Sequence, residues 1–231
     1  LSEPPSVGGG SKDAAVVVAI EDYVSVSDIP GAKDNGLDWY SYFTDGRGIA
    51  ASRVKLLTDN DATKEGITDA IEAARSQVRS GGTLWFVFIG HGAPSEDGQD
   101  GLLVGWDTQQ TASSVYARGL MQGEVLDLLE SGNQSQTVAI LDACFSGQSG
   151  ADTSLVAGLQ PMIPSYALSS SSAVVLSAGT SKQFAGPLPG ATRPAFSYLA
   201  LGALWGWGDA DDDGTVTTGE VHEYALEALS A

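Results

Sequence analysis

The sequence predicts an α/β fold with a mostly parallel central sheet covered by helices on both faces. Two observations carry this. Short apolar runs, most of them rich in β-branched residues, alternate with longer amphipathic stretches, and most of the short runs have no polar alternate face, as strands buried on both sides require. Strand followed by helix, repeated, then implies right-handed crossovers. With 231 residues, 42% hydrophobic and 17% charged, the chain can bury a substantial core.

Taken in order, Leu1 to Ser11 is rich in Pro, Gly and Ser and reads as a flexible linker over residues 1–12, ahead of a single domain over 13–231. A chain starting at Leu1 reads as a processed form, which leans toward an exported (periplasmic or extracellular) protein while the compartment stays open. Ala14 to Ile20 is the first strand. Leu37, Tyr40 and Phe43 mark the first helix. Val54 to Leu57 is the second strand, and Ile67, Ala70, Ile71, Ala74 and Val78 form one helical stripe, capped by Asp61 or Thr63 and ended by Gly81-Gly82. Leu84 to Ile89 is the third strand. Met121, Val125, Leu128 and Leu129 form the next stripe, before Val138 to Leu141 and Val174 to Leu176 as the last two strands.

The formal net charge of −18 would repel a nucleic-acid backbone and an anionic membrane surface. One cysteine excludes an intrachain disulfide and a multi-cysteine zinc site. No apolar run approaches the ~20 residues of a membrane span.

In parallel sheets, reactive groups gather just beyond the carboxyl ends of the strands. The third strand runs into Gly90-His91-Gly92 and the fourth into Asp142-Ala143-Cys144-Phe145-Ser146-Gly147, so the sole cysteine and one of two histidines share an edge. A thiol attacks a carbonyl as thiolate, and a neighbouring imidazole can take its proton and later protonate the leaving amine. Backbone N–H groups in the glycine-flanked loops could hold the oxyanion. A buried cysteine and a satisfied turn histidine remain the structural alternative.

At these residues the chain resembles the caspase and metacaspase superfamily of cysteine peptidases, nearest to its bacterial metacaspase (orthocaspase) type. His91 stands upstream of Cys144 by close to the ~50 residues seen in caspases. Pro30-Gly31-Ala32, Val175-Leu176-Ser177-Ala178-Gly179 and Phe196-Ser197-Tyr198-Leu199 extend the resemblance along Ala14 to Ala231. It implies a caspase-like three-layer α/β/α sandwich and a monomeric endopeptidase acting on protein or peptide substrates. Cys144 would be the nucleophile, His91 the base and acid, and the Gly92 and Cys144 amides the oxyanion donors, with Ser177 and Ala178 lining the substrate cleft. The stretch Glu21 to Ala32 lacks the arginine that holds aspartate in caspases. Asp142, two residues before the cysteine, matches the metacaspase carboxylate that holds Arg or Lys, and a carboxylate there could grip a guanidinium with two parallel bonds. Asp34 is the expected second carboxylate, although the family more often reads Asn-Asp where this chain reads Asp34-Asn35. Backbone capping by Asp142 and Asp34 is the alternative.

Gly119 to Ser181 contains no Lys or Arg. An enzyme cutting after basic residues could not cut itself in that window, so a chain that works uncleaved is expected.

Asp209 to Glu220 (DADDDGTVTTGE) satisfies the EF-hand calcium pattern, with Asp209, Asp211, Asp213, Thr215, Thr217 and Glu220 as ligands and Gly214 at the turn. Thr217 and Glu220 also form a capping box for the following helix, and both roles can hold together. Ca2+ is therefore the expected cofactor, either stabilising the last helix or gating activity. His222 falls on the solvated side of that helix. Two rival functions stay open: an idle calcium-binding interaction module on a peptidase-like scaffold, and a caspase-like peptidase cutting after Asp.

Overall fold

The computed structural model describes residues 4–149, 153–159, 173–177 and 192–230. In chain order its elements are β1 (Ala14–Ala19), α1 (Ala32–Ser41), β2 (Val54–Thr58), α2 (Lys64–Gln77), β3 (Thr83–Ile89), β4 (Gly92–Pro94), β5 (Gly101–Val104), α3 (Ala112–Arg118), β6 (Gly119–Met121), α4 (Gln122–Glu130), β7 (Gln136–Asp142), β8 (Gln148–Ser149), β9 (Thr153–Ser154), β10 (Val174–Ser177), α5 (Ala195–Gly202) and α6 (Thr218–Ser230).

Five strands make one parallel sheet in the order β10-β7-β3-β1-β2. The apolar runs of β1, β3 and β7 are buried along almost their whole length, because both faces are covered. One face packs Val16, Val18, Phe86, Phe88 and Leu141 under α2 and α4. The other packs Val17, Trp85, Val87, Val138 and Ile140 under α1, α5 and α6. The architecture is the three-layer α/β/α sandwich.

Local chemistry explains the helix boundaries, and some expectations change. Thr63 caps α2, its Oγ1 accepting from the Gly66 amide at 3.1 Å, and the helix ends at Gln77, ahead of the glycine pair. The buried face of α1 is Ala32, Asn35, Gly36 and Trp39, while Leu37 is exposed; Phe43 belongs to the π turn that follows. A hydrophobic stripe read by spacing alone misplaced this face, because the bare Gly36 is what fits against the sheet and the polar Asn35 is what meets Pro194 and Ser197. In α4 the buried residues are Val125, Leu126 and Leu129, and Met121 stands exposed before the helix. The stretch expected as a linker is tied down over its second half: the Val7 and Gly8 amides donate to the Gly46 carbonyl, Gly10 is buried, and Arg53 donates to the Ser11 carbonyl.

Asp13 locks the N-terminal edge of the sheet. Its buried carboxylate accepts from the Thr83 amide (2.9 Å), from Trp85 Nε1 (3.1 Å) and from Arg47 (3.0 Å), whose guanidinium lies 4.8 Å from the centre of the Trp85 ring. At the opposite edge β4, β5 and β6 form a small antiparallel sheet that the sequence did not announce. Strands of three or four residues are too short to show a period of two. Among the described residues, no helix is long and apolar enough to cross a membrane.

Candidate active site

β3 and β7 pair in parallel with Ile89 opposite Asp142, so the two chains leave the sheet side by side. Two residues on, one carries His91 and the other Cys144. The loops are in contact: a Cβ added to Gly92 would lie 2.8 Å from both the carbonyl carbon and oxygen of Cys144. Only a glycine permits that approach.

His91 is buried, and its Nε2 lies 2.6 Å from the Ser27 carbonyl oxygen and 3.2 Å from Ser27 Oγ. A carbonyl only accepts, so Nε2 carries the proton and Nδ1 holds the lone pair of the neutral ring. Burial holds the imidazole below its ordinary value, opposed by the Ser27 bond and the charge of Asp28. Cys144 is half-buried, with Sγ 2.9 Å from Ser146 Oγ.

Gly92 pairs with Leu103 one step beyond His91 and Val104 in the antiparallel ladder. The Val104 amide donates to the His91 carbonyl at 2.9 Å, which marks that pair as hydrogen-bonded. In such a ladder the next pair directs its N–H groups away from the partner strand. The Gly92 N–H thus points out of the ladder.

Asp142 closes β7 and is buried under α5. Its Oδ2 accepts from the Ser197 amide (2.7 Å) and the Ser197 hydroxyl (2.6 Å). Burial pushes this carboxyl up, against the lowering effect of the two Ser197 bonds. The sequence placed Asp34 beside it; the structure does not. Asp34 lies on the exposed side of the first turn of α1, whereas its neighbour Asn35 points inward. Asn35 Nδ2 donates to Ser197 Oγ (2.8 Å) and to the Pro194 carbonyl (2.8 Å), and its Oδ1 accepts from Arg193 Nε (2.7 Å). Arg193 also pairs with Asp38 at 2.7 Å. One helical position decides this: a step of 100° turns Asn35 under α5 and Asp34 toward water. Ser177 is exposed at the end of β10, and Ala178 lies outside the described residues.

Tyr23, Ser27, Asn35 and Ser197 were missed as site residues. The first two sit in the loop after β1, and a loop beyond a strand's carboxyl end was the available signal. Asp59 anchors that loop, its Oδ1 accepting from the Glu21 and Asp22 amides, and Trp106 Nε1 donates to the Asp22 carbonyl.

At the chain's other chemical cluster, carboxylate oxygens of Asp209, Asp211 and Asp213 lie within 4.8 Å of one another. Amides of Asp213, Gly214 and Thr215 donate to these carboxylates. Glu220 is held otherwise: Oε2 accepts from the Thr217 amide and hydroxyl as a capping box, and Oε1 accepts from the Ala210 amide. The donor set is all oxygen, which suits a hard cation such as Ca2+.

No family model and no curated protein matches the chain. Among solved structures it is similar to protein GSU0716 from Geobacter sulfurreducens, with a TM-score of 0.56 and 16% identity over 85% of this chain and 83% of that one. At that identity the likeness concerns the fold alone.

Proposed function

We propose that the chain is a cysteine endopeptidase of the caspase and metacaspase type that cuts after Arg or Lys and binds calcium. The observation that supports this most is the contact between the His91 and Cys144 loops at the ends of two paired central strands, with the outer imidazole nitrogen committed to Ser27.

Each step of peptide hydrolysis has a group for it. Neutral His91 takes the thiol proton at Nδ1, and the Cys144 thiolate adds to the scissile carbonyl carbon. The outward Gly92 N–H and the Cys144 N–H receive the oxyanion. The imidazolium returns the proton to the leaving amine, a water then attacks the thioester with His91 as base, and the thiol is restored. The Asp142 carboxylate recognises a basic side chain before the cut, steadied by Ser197 and Asn35. Asp209, Asp211 and Asp213, with the backbone at Thr215, would hold Ca2+, joined by Glu220 once it leaves its bonds to Thr217 and Ala210; the ion would neutralise the clustered carboxylates and fix the start of α6.

Hydrolysis of fluorogenic peptides ending in Arg and in Asp, in calcium and in chelator, with Cys144→Ala as control, tests the reading. Cleavage of the Arg peptide that disappears in Cys144→Ala is expected. Cleavage after Asp alone overturns the pocket assignment, and no turnover of either peptide together with His91-independent thiol alkylation overturns the peptidase.

A further inference from the structure

The antiparallel ladder between β4 and β5 is split one step beyond its last regular pair, Gly92 and Leu103. Val104 and His91 should exchange two hydrogen bonds, but only one is direct, from the Val104 amide to the His91 carbonyl (2.9 Å). The reciprocal bond is replaced by the Tyr23 hydroxyl, which accepts from the His91 amide at 2.8 Å and donates to the Val104 carbonyl at 3.3 Å. The Tyr23 ring also lies 4.9 Å from the imidazole, centre to centre, at 42°. A Cβ on Gly90 would come within 2.8 Å of the Tyr23 oxygen, so the peptide before His91 is shaped around this hydroxyl.

We propose that Tyr23 is a positioning residue for His91: its hydroxyl is a wedge that keeps the His91 peptide out of the ladder and so sets where the imidazole stands relative to Cys144. This rests on His91 being the base of the proposed peptidase. The geometry gives the hydroxyl its leverage. Ser27 fixes the far end of the ring through Nε2, and Tyr23 fixes the backbone from which the ring springs; both come from the one loop after β1, which Asp59 and Trp106 hold in place. Without the hydroxyl, the His91 amide and the Val104 carbonyl are free to close on each other. The ladder then gains its missing bond and the imidazole moves, while the core around the retained ring is undisturbed. Displacements of about 1 Å at reacting groups lower rates by up to about 10²-fold.

The test is Tyr23→Phe in the full chain, read by peptide hydrolysis, thermal unfolding and NMR of the two histidine rings. The expected result is a kcat about 10- to 100-fold lower, KM and Tm unchanged, and His91 ring signals and titration midpoint displaced while those of His222 stay. Wild-type kcat with wild-type His91 signals overturns the proposal. So does a loss of kcat that follows a fall in Tm with shifts throughout the amide spectrum, because Tyr23 would then be packing. If neither wild type nor variant hydrolyses peptide, the peptidase reading fails by itself, and the His91 signals still decide: unmoved, they overturn the wedge.

Discussion

Gly92 and Cys144 touch backbone to backbone across the carboxyl ends of β3 and β7, with room for two hydrogens on the Gly92 Cα and for nothing larger. Gly92→Ala would place a methyl carbon 2.8 Å from the Cys144 carbonyl. The loops must part, and strain of this kind costs about 1–3 kcal/mol. A lower denaturation midpoint is expected, together with loss of peptide hydrolysis and slower alkylation of Cys144 by iodoacetamide.

Asp142 and Asp34 separate by experiment. Asp142→Asn keeps the shape and the Ser197 bonds while removing the charge, so kcat/KM for an Arg peptide should fall about 10- to 100-fold, the range of one charged hydrogen bond. Asp34→Asn, on the exposed side of α1, should change it less than twofold. Steady-state kinetics with Arg and citrulline peptides checks both, since the uncharged citrulline peptide should not distinguish Asp142→Asn from wild type.

Two buried titratable groups of the site, His91 and Asp142, act on stability in opposite directions. Folded His91 has a value below the ordinary ~6.5, so at acid pH the unfolded chain binds a proton that the folded one refuses; stability is lost as pH falls below about 6.5. Folded Asp142 has a raised value, so its contribution is present below about 3.8 and is lost as pH rises through the raised value. Urea midpoints measured between pH 4 and 8 should show a shallower acid-side loss for His91→Gln, and a shallower decline with rising pH for Asp142→Asn.

Calcium at about 100 times its dissociation constant should stabilise the chain by about 2.7 kcal/mol, the mass-action effect of a ligand that binds the folded form alone. Calorimetry should show Tm rising with calcium and returning in chelator. In Asp209→Asn/Asp213→Asn the response should vanish, and Tm in chelator should exceed that of wild type, because mutual repulsion within the cluster is gone.

The central strands β1, β3 and β7, and with them the sandwich, were legible because burial on both faces leaves an unbroken apolar run, as in Ala14 to Ala19. The edge carrying His91 and Cys144 was legible from glycine-bracketed loops at two strand ends. What escaped depended on direction and not on composition. Asp34 and Asn35 are adjacent in sequence and differ by 100° around α1, and nothing in either residue type says which of them turns inward. Ser197 reaches Asp142 from an apolar helix that reads as core. Tyr23 meets His91 from a loop whose path only the folded chain defines.

Tyr23, His91, Cys144 and Ser197 come from four well-separated stretches of chain. β3 and β7 become neighbours only after some fifty residues of intervening chain are looped out. Such non-local parallel pairing is slow to form, because the loop must close before any contact rewards it. Cys144 and His91 are therefore brought together only once that loop has closed. On the proposed mechanism, a refolding chain sampled by rapid alkylation should show a Cys144 that is unassisted until β3 and β7 have paired, which makes the reactivity of that one sulfur a reporter of that closure.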